Sequence, residues 1–320
     1  MLQDDAEATN AANRALSASD DFFSSYEHPI QSASNLKHNR AKALQLLALI
    51  HSRKQQYHEQ ARLNRLAIME LRQSATPDEY LSAILKMNLS FYVRDLDSSR
   101  DAELLDCGNW PSNLSWKAAE ISRSLSLLSA AQGRFDDFAK MSAAASELSS
   151  SDSFKQLLVA EKSYIHRMAF DIVDASSLLT SFSVMMSQTT TPDDDDYRDA
   201  LLYLAQEISI IDPAKSQLIL ERWHSSNNST TALRLHDTRE AAESAFANAI
   251  ILKNCGKDSI NTFFQAFETW NNVGYRKFAA AAAVELAELT RNPTFAAYAR
   301  REAELRPGSW LDLRVRRMNV

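Results

Sequence analysis

The sequence predicts an all-α chain of antiparallel helical hairpins, and three observations carry that expectation. Glycine and proline are scarce, five and seven in 320 residues, against usual frequencies of about 7 % and 5 %; a β-rich or doubly wound fold needs turn residues more often. Apolar residues recur at helical spacing along most of the chain. Where that periodicity stops, glycine or proline marks the break, as at Gly133, Pro213, Gly256, Gly274 and Pro293. A length of 320 residues exceeds the usual single domain of about 100–200, but helical arrays grow past that limit without splitting.

Taken in order, residues 1–36 are polar and acidic. Asp4, Asp5, Glu7, Asp20, Asp21 and Glu27 stand against Arg14 alone, and the segment reads as a polar arm or a helix that caps the array. The first clear hairpin is "AKALQLLALIHSRKQQYHEQARLNRLAIMEL", 41–71, turning ahead of Tyr57. An irregular unit around "DEYLSAILKMNLSFYVRDL" follows, then a loop at "LDCGNWPSNLS" marked by Gly108 and Pro111. In "SLLSAAQGRFDDFAKMSAAASEL", 126–148, each side of Gly133 is amphipathic by itself: Leu125, Leu128 and Ala131 before it, Phe135, Phe138, Met141 and Ala145 after it. A glycine inside a helix costs about 1 kcal/mol relative to alanine, whereas just past a helix end it relieves left-handed strain. Gly133 therefore ends one helix, and Phe135 opens the next.

Further hairpins read from 197–223, broken at Pro213, from 239–270, broken at Gly256, and from 275–305, broken at Pro293. The joints "SELSSSDS" and "SQTTTPDDDD" carry helix N-cap residues, with Asp193 to Asp196 expected to cap the helix starting near Tyr197. A basic tail, 307–320, completes the chain. From 291 onward seven arginines face Glu302, Glu304 and Asp312, a distribution that suits an acidic partner and also complements helix C-termini.

Two of the hairpins resemble the tetratricopeptide repeat, a unit of about 34 residues. Leu44, Leu47, Ala48, Tyr57 and Ala67 match its large, leucine, small, aromatic and alanine positions, as Leu125, Ser126, Gly133, Phe135 and Ala145 match theirs. Gln60, Phe138 and Ser122 depart from the pattern. Leu157, Tyr164 and Phe170 keep the spacing. "FETWNNVGYRKFAAAAAVELAEL" is also similar to a phrase in the helical sensor regions of large bacterial transcriptional regulators. What the resemblance implies is a TPR-like α-solenoid over 37–306: a right-handed superhelix of antiparallel hairpins whose first helices line a concave groove. The groove would take a protein or peptide, through Gln45, Leu49, Ser52 and Arg53 in one unit and Arg123, Leu127 and Ala130 in the other. Arg53 and Arg123 are the expected carboxylate clamps. A small-molecule effector domain of such a regulator is the alternative, or a homo-oligomerisation module with its seam on the alanine-rich helix at 279–287.

Catalysis and cofactors find no foothold in the sequence. No glycine-rich phosphate loop, GxSxG or HExxH is present, and His58 and Glu59 are followed by Gln60, Ala61 and Arg62. His51 and His58 fall on different helices, and His166 reads as a packing or surface residue. Cys107 and Cys255 form no metal pair and read as small buried hydrophobes. The run at Asp193 lacks the glycine and terminal glutamate of a calcium loop. The helices at 284–310 suit packing better than base reading, so nucleic acid is not expected. The acidic start lacks the basic and apolar regions of a secretory signal, no run approaches a membrane span of about 18 apolar residues, and a cytoplasmic binding protein without enzymatic activity is the expectation.

Overall fold

The computed structural model describes residues 2–25, 30–54, 56–74, 78–105, 112–188, 195–227 and 238–319. Among them all regular structure is helical and no strand occurs. The chain divides into two compact units, 1–128 and 129–320, a division that the span expected for one array, 37–306, did not include.

The first unit begins with α1 (Leu2–Ser25), which packs on α2 (Ile30–Arg53). Next come α3 (Tyr57–Arg72), α4 (Glu79–Leu96) and the short α5 (Ser99–Ala102), each packed on its predecessor. A 3-10 turn, Ser112–Leu114, leads into α6 (Ser115–Ala131), within which the division falls. Leu44, Leu47 and Ala48 of α2 and Ala67 of α3 lie in one buried cluster with Leu85 and Leu89 of α4. The four repeat-like positions among these are thus core positions, whereas Tyr57 is half-buried. Tyr57 does open a helix. Polar clamps fix the pairing: Arg40 Nε donates to Glu70 across α2 and α3 at 3.1 Å, and the Arg65 guanidinium holds both oxygens of Asp101 at 2.5 and 2.6 Å. Asp78 caps α4 by accepting from the Leu81 amide at 2.8 Å.

In the second unit α7 (Phe135–Leu148) is followed by α8 (Asp152–Phe170), α9 (Ala175–Ser187), α10 (Asp195–Ile208) and α11 (Pro213–Asn227). Then come α12 (Thr238–Asn254), α13 (Ile260–Asn272), α14 (Arg276–Thr290), α15 (Pro293–Glu304) and α16 (Trp310–Arg316). The breaks fall where glycine and proline were expected to put them. Ser151 caps α8 by accepting from the Phe154 amide at 3.1 Å, whereas Asp193 and Asp194, expected to cap α10, lie outside the described residues together with Gly108, Pro111 and Cys107.

Three expectations are corrected. Residues 307–320 are not a basic tail: α16 packs against α8, α14 and α15, with Trp310 and Leu311 buried and Trp310 edge-on to Tyr164 at a centroid separation of 5.7 Å. Cys255 is exposed, because it stands just past the last residue of α12, in the turn that leads to Gly256. The alanine-rich face of α14 is no free seam for another subunit. Ala279 to Ala283 and Ala287 are wholly buried, covered within the unit by α13 and α15, whose approach their small side chains allow.

Gly133 has φ +75°, and a Cβ there would meet the carbonyl oxygen of Gly308 at 2.6 Å. The turn before α7 is thereby pressed against the turn before α16. Gly256 has a similar φ of +69° but open space around it. Gly133→Ala is expected to destabilise the second unit by about 2–4 kcal/mol, the sum of left-handed strain and a backbone clash. Gly256→Ala carries the strain alone, about 1 kcal/mol. Denaturant titration of the two variants measures the difference.

Candidate functional site

In the second unit α8 packs on α10, and α10 on α12; near their C-terminal ends polar side chains join these helices, and α14 and α16 with them, into a closed ring. Arg167, in the last turn of α8, donates to both oxygens of Glu207 on α10 at 2.9 and 2.7 Å. Just beyond α10, Ser209 Oγ accepts from the Asn254 amide at the end of α12 at 2.7 Å. Lys253, its neighbour, pairs with Glu285 on α14 at 2.5 Å. Arg314 of α16 reaches the same Glu285 at 3.2 Å and Glu288 at 2.7 Å. The ring closes at Arg317, whose guanidinium donates to the carbonyls of Arg167 at 3.3 Å, Met168 at 2.6 Å, and Ala169.

The last contact has a simple cause. α8 ends at Asp171 in a left-handed conformation, φ 60°, and a helix end leaves its final carbonyls without intrahelical donors. A guanidinium supplies them and sits where the helix dipole favours positive charge. The sequence pattern puts the C-terminal arginines at the C-terminus of their own last helix; Arg317 instead serves a helix about 150 residues upstream.

The ring borders an open cavity of about 410 Å³. Arg167, Lys253, Arg314 and Arg317 line it, against two acids, Asp171 and Glu285; Asn254, Ile210 and Ile250 complete the wall. Burial by itself would push the Glu285 carboxyl up, but Lys253 and Arg314 outweigh it and hold the group below the usual carboxylate range. Burial likewise opposes the charge on Arg167, and Glu207 overcomes it, so this guanidinium stays protonated. Tyr164, one turn before Arg167 on α8, is raised well above the ordinary phenol range by burial. His166, half-buried among Phe138 and Phe170, is lowered by burial and by Lys162. The wall therefore presents fixed charges, suited to holding an anion.

The residues expected to bind lie elsewhere. Gln45, Leu49, Ser52 and Arg53 share one side of α2; Leu49 and Arg53 are exposed, and Arg53 pairs with Asp5 of α1 at 2.8 Å. On α6, Leu127 is half-buried. Arg123 and Ala130 are interior, which corrects their reading as open groove contacts: Arg123 lies against Glu120 at 3.3 Å, and Ala130 is fully covered. The sequence reading passed over Lys253, Glu285 and Arg314. The signal available was a spacing of 40 residues between Arg167 and Glu207 and of 32 between Lys253 and Glu285, close to one hairpin in each case. Among the described residues no group of His, Cys, Asp and Glu could hold a metal ion, and no helix is long and apolar enough to cross a membrane. Comparison with protein-family models, with curated proteins and with solved structures gives no match to this chain.

Glu285→Gln leaves the part-buried Lys253 and Arg314 with Glu288 alone as counter-charge, and is expected to cost about 2 kcal/mol at neutral pH. The Glu285 carboxyl is depressed in the fold, so its contribution is complete above the unfolded value of about 4.3 and is lost as pH falls through the folded value. Thermal melts of wild type and variant should therefore converge as pH is lowered from 7 towards 3; a constant gap would contradict this account.

Proposed function

We propose that the chain is a non-enzymatic binding scaffold, a regulatory adaptor built as a TPR-like superhelical array, which takes an acidic segment of a protein or peptide partner in the second unit. One observation carries this reading. Of the four cationic side chains on the cavity wall, Arg167, Lys253 and Arg314 are paired with Glu207, Glu285 and Glu288, whereas Arg317 donates only to neutral carbonyls, with no carboxylate of the described residues in ion-pair range. Guanidinium groups bind carboxylates by paired hydrogen bonds, and the low-dielectric surroundings strengthen them. The titratable groups favour binding over chemistry: Glu285 is held ionised by two cations and Arg167 by Glu207, so neither is poised to exchange a proton.

A second reading, an anionic small-molecule effector, is favoured by the cavity's volume, which falls in the usual range of about 300–1,000 Å³ for small-ligand sites. The homo-oligomerisation reading loses its main support with the covering of the α14 alanines inside the chain.

Calorimetric titration with hexaglutamate, hexalysine and citrate tests the proposal. Hexaglutamate should bind with a salt-dependent Kd of about micromolar order, and hexalysine should not. Arg317→Gln and Lys253→Gln should each weaken it by about tenfold, the loss of one charge-assisted hydrogen bond. Binding of citrate alone would move the assignment to the small-molecule reading, and binding of neither would overturn both.

A further inference from the structure

In the first unit, two large aromatic side chains stand exposed on either side of a lysine: Tyr80, near the start of α4, and Trp116, the second residue of α6, each keep more than half of their surface open. Between them lies Lys117. Its ammonium sits 3.6 Å from the Trp116 ring centroid and 5.2 Å from that of Tyr80. The residue is only 3 % exposed, and both rings stand close to its ammonium. Burial lowers its pKa, and no carboxylate counteracts this.

The surroundings leave the charge unanswered. Asp78 is turned to the Leu81 amide and to His38, and Glu120, one turn along α6, to Arg123. No described carboxylate pairs with Lys117. Its position adds to the imbalance: it is the third residue of α6, whose first turn holds no acid, and a helix N-terminus disfavours a cation and attracts an anion. A desolvated ammonium in that place is stabilised by a bound anion, and the free ring faces beside it are stacking platforms that keep water off the ion pair.

We propose that Tyr80, Trp116 and Lys117 form a binding site for an anion carried on a flat aromatic ring, an aryl carboxylate or aryl phosphate, whose ring stacks on the exposed indole or phenol while its charge pairs with the ammonium. The site lies in the other unit from the acidic-segment cavity and stands or falls independently of it.

Calorimetry on the full chain with naphthalene-2-carboxylate and 2-naphthyl phosphate tests this, with cyclohexanecarboxylate and 2-naphthalenemethanol as controls lacking the flat ring or the charge. One or both aryl anions should bind, and which one does identifies the anionic group. The controls should bind at least about tenfold more weakly, as should Lys117→Met and Trp116→Leu towards the aryl anions, each contact being worth about one order of magnitude. A second measurement uses the wild-type fold alone: after reductive ¹³C-methylation, the Lys117 resonance should titrate at higher pH once the aryl anion is bound, because a neighbouring anion favours the charged amine. The proposal is overturned by no saturable binding at millimolar ligand, by equal affinity in Lys117→Met, or by a Lys117 titration that the ligand leaves unmoved.

Discussion

A short helix with one apolar face is stable only when a neighbour covers that face, and a row of such helices always ends with one left uncovered. The architecture of the second unit follows from this constraint. Each helix finds cover in the next, and the helix that ends the row, α16, turns back onto α8, burying Trp310 and Leu311. Folding back brings basic residues of α16 to the C-terminal end of α8. That end lacks donors, and Arg317 provides them.

The polar ring is the electrostatic side of the same arrangement. Helices that run side by side bring their carbonyl ends together, and positive side chains collect there. Charges taken so far from water need partners in good geometry. Glu207 and Glu285 supply them from within the helices, and the cavity is what remains between the pairs. Aromatic packing and ion pairing thus meet at α8, where Tyr164 contacts Trp310 and Arg167 holds Glu207.

Local structure was legible because its determinants are local. Gly133, Pro213, Gly256 and Pro293 mark turns by their own backbone preferences, and the apolar stripes of α2 and α3 name their core residues directly. The candidate site was not legible, since each of its bonds joins residues one or more hairpins apart, and the decisive one spans about 150 residues. Two misreadings have the same origin. The repeat pattern turns Arg123 outward, yet α6 is covered on most sides. The habit of its residue type puts Cys255 in the core, yet its place after the end of α12 leaves it in water.

The contact between Gly133 and Gly308 bears on how the second unit comes apart. An open row of helices can fray from its ends, losing one pair at a time with little effect on the middle. Here the turn ahead of α7 meets the turn ahead of α16, so neither end of the unit can peel away without breaking a contact with the other. End-to-end contact of this kind couples the first and last helices of the unit, so that loss of one weakens the other.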